Sequence, residues 1–265
     1  MSRGEGHSDI FNNVDARYLV GSRLRRITPE LGRGKQVIIF DGDDTLWSTE
    51  HLYDEARGRA CQIVQKSGLN GSHWDELERA IDVENVEIYG HKPERFPTSC
   101  VEAYEAVCGE EGKEIDPRER ADIYRAARSV FENKAPLVRG AKETLSVLKR
   151  QGFRLALLTK GDLRVQEQRI AQSGLSALFE QIDIVESKDA NNFKQLLERM
   201  GASEETAISV GNSMRSDINP SLEVGMTAVW IDAHVWEYER ENREITRGDL
   251  VIGEYLSELS QIRKR

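Results

Sequence analysis

The sequence predicts a doubly wound parallel α/β domain with a helical subdomain inserted behind its first strand. Three observations predict it. Five short aliphatic runs lack polar alternation, as strands buried on both faces do. Helical patterns closed by glycine separate the later runs. Residues 49–135, between the first run and the second, show helical periodicity and no convincing strand.

In chain order, residues 1–35 read as an N-terminal extension, with seven Lys/Arg against four Asp/Glu over residues 1–36 and a basic cluster at Arg23–Arg26. The expectation there is a solvated lead-in with one short helix. The first strand is QVIIF (36–40), and residues 36–48 open the core. The insert 49–135 follows. HLYDEARGRACQIVQKSG places Leu52, Ala56, Ala60, Ile63 and Val64 on one stripe, and VEAYEAVCGEEG and PRERADIYRAARSVFENK repeat the pattern. Pro117 suits a first helical turn. Pro136 and Gly140 mark the return to the core, which runs over 136–265. The remaining strands are FRLALLT (153–159), QIDIV (181–185), TAISV (206–210) and TAVWI (227–231), with helices ending at Gly152, Gly174 and Gly201 between them. A β-α-β-α-β-α-β series of this kind argues for a parallel sheet with helical crossovers.

Composition narrows the function. The chain has 265 residues, a net charge of −9, 38% apolar and 31% charged residues. Such an acidic balance argues against a general nucleic-acid binder. No apolar run approaches a membrane-spanning length and the N-terminus lacks a secretory h-region, so a cytoplasmic protein without a membrane partner is expected. Cys61, Cys100 and Cys108 form no C-x-x-C pair and read as reduced, mostly buried thiols. The oligomeric state is left open.

In an open α/β sheet ligands bind beyond the carboxyl ends of the strands. The first strand ends on DGDDT, with Asp41, Gly42, Asp43, Asp44 and Thr45; the second on TKGD, from Thr159; the third on ESKD, with Lys188; the fourth on GNSMRSD, from Gly211 to Asp217. D-x-D-x-T behind an apolar strand resembles the first motif of the haloacid dehalogenase (HAD) superfamily of aspartyl-phosphate hydrolases. Thr159, Lys188 and GNSMRSD resemble its second, third and fourth motifs in order, over residues 36–255, and the insert sits where that superfamily carries its type-1 cap. The resemblance implies a HAD-like Rossmannoid core, a phosphatase and a Mg²⁺ cofactor.

The chemistry agrees. A carboxylate held in line with a phosphate monoester splits hydrolysis into two easier steps, and Asp41 is the expected nucleophile. Asp43 is placed to protonate the leaving oxygen and later to take a proton from water, provided its surroundings keep it protonated when substrate arrives. Thr45 would fix the turn and help orient Asp43. By resemblance, Mg²⁺ would be held by Asp41, the backbone carbonyl of Asp43 and the fourth motif. That motif usually opens Gly-Asp; here Asn212 follows Gly211, so Asp217 is expected to be the main carboxylate, with Asn212 a weak ligand or a phosphate-side hydrogen bonder. Gly42, Thr159, the amide of Lys160 and Asn212 would bind phosphate, and Lys188, rather than the rival Lys194, would stabilise charge on the phosphoryl oxygens. Asp189 follows Lys188 where the family often has proline. Asp44, where the family often has glycine, is expected to face solvent or a basic side chain, with no catalytic role.

Specificity should come from the insert. The loop YGHKPERF (89–96) offers His91, Lys92 and Arg95; Trp47 and Ser48 at the hinge, and His234 and Trp236 after the last strand, are further wall candidates. The leading reading is a Mg²⁺-dependent phosphatase of a small phosphorylated metabolite. A dehalogenase is disfavoured because Asp43 supplies the acid/base that C–O–P cleavage needs. A phosphomutase using the same residues, or a catalytically weak HAD scaffold that binds or regulates, compete with it, the latter on the strength of Asn212.

Overall fold

The computed structural model describes residues 25–231, 239, 249–253 and 255–264. Seven strands form one sheet in the order β1-β7-β6-β5-β2-β3-β4, every neighbouring pair parallel. The strands are β1 (Arg25–Arg26), β2 (Val37–Phe40), β3 (Arg154–Lys160), β4 (Gln181–Val185), β5 (Ala207–Gly211), β6 (Thr227–Ile231) and β7 (Asp249–Gly253). After β1 at the far edge, the chain enters the sheet centre on β2, winds outward through β3 to β4, then returns to the other side of β2 for β5, β6 and β7, which brings it back beside β1. That reversal puts the switch point at the carboxyl end of β2, beside β3 and β5.

Burial on both faces follows from the alternation of β2. Ile38 and Phe40 pack with Leu145, Leu148 and Ile170, from α5 (Ala141–Arg150) and α6 (Leu163–Ser173). Val37 and Ile39 pack on the opposite face with Phe193, Leu196 and Val224, from α7 (Ala190–Arg199) and α8 (Asn219–Val224). One aliphatic run thus feeds two cores. β4 departs from the expectation of two buried faces: it is the edge strand, all five of its residues half-buried. Two strands were not read from sequence. β7 runs at the far side of β6, and β1, a two-residue strand in the basic cluster, pairs with it.

The insert is four helices: α1 (Glu50–Lys66), α2 (Gly71–Tyr89), α3 (Arg95–Glu111) and α4 (Pro117–Arg128). Asn70 caps α2 by accepting from the amides of Ser72 and His73. Trp74, fully buried, donates its indole N–H to the carbonyl of Cys100 at 3.1 Å, so a bulky ring fills the bundle without an orphaned donor. Tyr53 meets Phe96 edge-on, with centroids 5.0 Å apart. The helical repertoire of the insert is as the periodicity implies, but α3 begins at Arg95, so the inter-helix loop is shorter than YGHKPERF. Two strands of chain cross between core and insert, and they hold each other: Trp47 bridges Leu137, Val138 N–H donates to Leu46 C=O at 2.9 Å and Ser48 N–H to Pro136 C=O at 2.8 Å. Among the described residues no helix is long and apolar enough to cross a membrane, and the three cysteines are free thiols.

Candidate active site

The loop that leaves β2 is folded back on itself. Gly42 C=O accepts from the amides of Leu46 and Trp47, at 2.8 and 3.2 Å. The Trp47 ring then lies so close that a Cβ on Gly42 would sit 2.4 Å from it and 3.1 Å from the Thr159 hydroxyl. Glycine is required here by close approach. Asp44 follows with φ +58, a left-handed conformation that aspartate tolerates better than most side chains. Its carboxylate accepts from Thr49 N–H at 2.7 Å, Thr49 Oγ1 at 2.5 Å and Glu50 N–H at 3.0 Å, capping the first helix of the insert. Asp44 is thus neither solvent-directed nor paired with a base: helix α1 supplies the donors, and the positive end of its dipole suits the charge.

Asp41 and Lys188 meet as the spacing suggests. Lys188 Nζ, fully enclosed, lies 2.6 Å from Asp41 Oδ1 and 2.6 Å from Asp217 Oδ1. Burial disfavours the ammonium, yet the Asp217 and Asp41 carboxylates outweigh it and hold the Lys188 pKa above the ordinary lysine value. Burial, then the Asp217 charge, push the Asp41 carboxyl up to about 7 against the pull of Lys188. Lys194 is exposed on α7, and Asp189 is the N-cap of that helix, accepting from Asn192 N–H at 3.0 Å. The residue after Lys188 therefore starts the crossover helix.

Asp217 reaches the rim from a single π-helical turn, Met214–Ile218. Its Oδ2 accepts from Ser213 N–H at 2.9 Å, and it packs so tightly on the strand end that a Cβ on Gly211 would lie 2.2 Å from Oδ2. Asn212 is buried beside it and its Oδ1 accepts from Thr45 Oγ1 at 3.2 Å. Thr45 thus orients Asn212 rather than Asp43. Thr159 is buried with its hydroxyl unpartnered among the described residues, facing Gly42 across the rim.

Asp43 is held by three donors. Its Oδ1 accepts from Trp47 Nε1 at 2.5 Å; its Oδ2 accepts from Gln166 Nε2 at 2.9 Å and Arg169 Nη1 at 2.6 Å. Gln166 and Arg169 are two of the three buried residues of α6, beside Ile170. Their i, i+3 spacing, which puts both on one face of the helix behind the second strand, is the sign of them the sequence carries. The Lys160 side chain turns away from β3 to donate to Ser216 Oγ at 2.6 Å and to pair with Glu239, which also accepts from Ser213 and Ser216. Burial works against the Glu239 carboxylate, but Lys160 and the two serine hydroxyls outweigh it and draw its pKa down to about 2. Nothing in the pattern around Glu239 marks it in the sequence.

These residues line a cavity of about 730 Å³ between core and insert. His91 and Lys92 reach its wall from the loop between α2 and α3; burial and the nearby Lys160 push His91 down to about 4, so its imidazole is neutral. Arg95 also lines it, but its guanidinium is paired with Asp82. Trp47 is core and donor at once, Ser48 shares a 3.1 Å hydrogen bond with His51, and His234 and Trp236 lie outside the described residues.

Among the described residues no three His, Cys, Asp or Glu side chains gather as a metal site. The oxygen groups the structure brings together that could hold a hard cation are the Asp41 and Asp217 carboxylates, both on Lys188, with the side chain of Asn212 buried nearby. Two acids sharing one ammonium leave a net negative charge at the rim, which such a cation would neutralise.

Residues 35–221 match the family model of haloacid dehalogenase-like hydrolases. The chain belongs to that family. Similar proteins include a glyceraldehyde 3-phosphate phosphatase of Methanothermobacter thermautotrophicus, 26% identical over 236 residues that cover 86% of this chain and 99% of the relative. Another bearing the same name, from Pyrococcus furiosus, is 28% identical and covers 87% and 93%. Among solved structures, a haloacid dehalogenase-like family hydrolase from Xanthomonas campestris superposes with a TM-score of 0.68 at 26% identity, covering 84% of this chain and 92% of that one. The chain is a hydrolase of the HAD family, and these two relatives, similar to it over most of their length, are named as phosphatases.

Proposed function

We propose that this HAD hydrolase cleaves the monoester of a small, polar phosphorylated metabolite in two steps, through an aspartyl phosphate on Asp41. The observation that carries the reading is the rim itself. Lys188 ties Asp41 to Asp217 at 2.6 Å each, and the buried Thr159 hydroxyl stands unpartnered among the described residues on the adjacent strand end. An orphaned hydroxyl at the carboxyl end of a central strand is a donor waiting for an anion.

Asp41 attacks phosphorus while Lys188 and Thr159 stabilise charge on the phosphoryl oxygens. Asp43 gives a proton to the departing ester oxygen, then takes one from the water that opens the aspartyl phosphate. Mg²⁺, held by Asp41, Asp217, Asn212 and the Asp43 carbonyl, would supply charge neutralisation between nucleophile and phosphate. The cavity wall that the insert contributes sets neutral His91, Lys92 and Glu84 among apolar Ala80, Val83 and Phe131, which suits a small leaving group with hydroxyl or carbonyl oxygens on a short carbon chain. Relatives named for a three-carbon aldehyde phosphate agree with that size and polarity.

Hydrolysis of p-nitrophenyl phosphate, with and without Mg²⁺, on wild type and Asp41→Asn side by side tests the proposal. Turnover should require Mg²⁺ and vanish in the nearly isosteric variant. Wild-type rates in Asp41→Asn would sink the mechanism. A folded wild type that turns over no ester in Mg²⁺ would favour the silent scaffold.

A further inference from the structure

Asp43 has more partners than an acid/base needs, and their number restricts how it can work. An ionised carboxylate offers about four acceptor sites, two on each oxygen. Gln166 Nε2 at 2.9 Å and Arg169 Nη1 at 2.6 Å fill both sites on Oδ2. Trp47 Nε1 at 2.5 Å fills one on Oδ1. One site remains, on Oδ1.

We infer that Asp43 exchanges its catalytic proton through Oδ1 alone, and that Arg169 and Gln166 are the positioning residues that select this oxygen. The inference rests on the phosphatase reading above. In the first half-reaction the Oδ1–H proton passes to the ester oxygen as its bond to phosphorus breaks and the Asp41 O–P bond forms. In the second, water oxygen attacks phosphorus, the Asp41 O–P bond breaks and a water proton returns to Oδ1. Asp43 ends as it began.

The frame that fixes Oδ2 is built from separate elements. Gln166 uses its second amide hydrogen on Lys160 C=O at 3.0 Å, which ties the acid to the end of β3. Arg169 is almost fully buried, and the Tyr53 phenol from the insert lies against its guanidinium. The oxygen is therefore chosen jointly by β3, α6 and the first helix of the insert. Arg169 holds Oδ2 by a single charge-assisted bond from Nη1, which a lysine ammonium can also make and a neutral amide makes more weakly.

The test compares esters of rising leaving-group difficulty, in Mg²⁺: p-nitrophenyl, phenyl and glycerol phosphate. An aryl oxide leaves without a proton; an alkoxide does not. Arg169→Gln should lower kcat on the glycerol ester by about 100-fold but on the p-nitrophenyl ester by less than about 5-fold, within the range a general acid contributes. KM should move little. Arg169→Lys should restore most of the loss, and Gln166→Met, a milder change at the same oxygen, should show the same selectivity at about 10-fold. The indole Nε1–H resonance of Trp47, assigned by its disappearance in Trp47→Phe, should shift in substrate-free Arg169→Gln as Asp43 loses its second anchor. Equal losses on all three esters, or an unmoved indole resonance, would overturn the positioning role while leaving the phosphatase intact. A wild type inert toward every ester would remove both.

Discussion

At the core rim one buried ammonium, Lys188, serves two carboxylates, whereas in the insert each buried guanidinium has a buried acid of its own. Arg57 donates to Glu78 at 2.6 Å and Arg95 pairs with Asp82. The insert's pairs balance and fill space between helices. The rim's set does not balance: two acids, Asp41 and Asp217, share the one ammonium of Lys188, and the Thr159 hydroxyl nearby has no partner among the described residues. Burial of charge is expensive in both places. Where the pairing closes, the charges hold a fold together; where it stays open, they await a ligand.

The largest expected effect comes from removing the shared cation. Lys188→Met leaves two buried carboxylates facing each other. Activity on p-nitrophenyl phosphate should fall at least about 1,000-fold, as for loss of a transition-state charge partner. Urea unfolding should show a loss of about 3–5 kcal/mol in the absence of Mg²⁺, the usual consequence of breaking a buried pair. Added Mg²⁺ should recover part of the stability and none of the activity. Unchanged stability in Mg²⁺-free buffer would mean that the rim is wetter than its burial indicates, and the contrast with the insert would fail.

The insert should respond to the opposite logic. Arg57→Met alone strands Glu78 and should cost about 3 kcal/mol; Arg57→Met with Glu78→Leu should regain most of it, because a closed pair can be replaced by packing. Turnover of a small aryl ester should stay within about 10-fold in the double variant, since neither residue touches the phosphate. A double variant as inactive as Lys188→Met would show that the insert's pair belongs to the chemistry after all. At the rim no such rescue exists, for Asp41 cannot be replaced.

What the sequence made legible follows the same division. β2 to β6 were readable because a strand buried on both faces leaves an unbroken aliphatic run, and Asp41, Lys188 and Asp217 because each lies at such a run's end. The edge strand β4 looked the same as the others, since exposure of an edge is decided by topology, not by composition. β1 and β7 escaped because two basic residues carry no pattern, and because DLVIG has only three aliphatic residues, set between an aspartate and a glycine. At the site, Asp44 departs from its expected surroundings through local chemistry, a φ of +58 and a helix N-terminus five residues on, and Thr45 through a contact no local pattern shows, its bond to Asn212 167 residues away. Arg169 and Glu239 lie 126 and 79 residues from the partners they hold, and no spacing rule spans such gaps.

The smallest effect is the most discriminating, because it has opposite signs in the two regions. Glu239 at the rim has its pKa drawn down to about 2 despite burial, by Lys160 and two serine hydroxyls, whereas Glu78 in the insert is pushed up to about 7 by burial, against Arg57. A depressed folded-state pKa means that the unfolded chain binds more protons, so Glu239 contributes stability that is present above the ordinary glutamate value and lost as pH falls from there toward about 2. A raised one means that the folded chain binds more, so Glu78 makes stability decline as pH rises from the ordinary value toward about 7. Urea midpoints of wild type, Glu239→Gln and Glu78→Gln across both windows separate the two. Glu239→Gln should flatten the acid limb and leave the neutral limb parallel to wild type; Glu78→Gln should flatten the neutral limb and leave the acid limb alone. The slopes carry the result, not the offsets, since either variant also loses a hydrogen-bonding charge. If both variants changed the same limb, the two buried acids would share one environment, and the distinction between an open rim and a closed insert would not describe this protein.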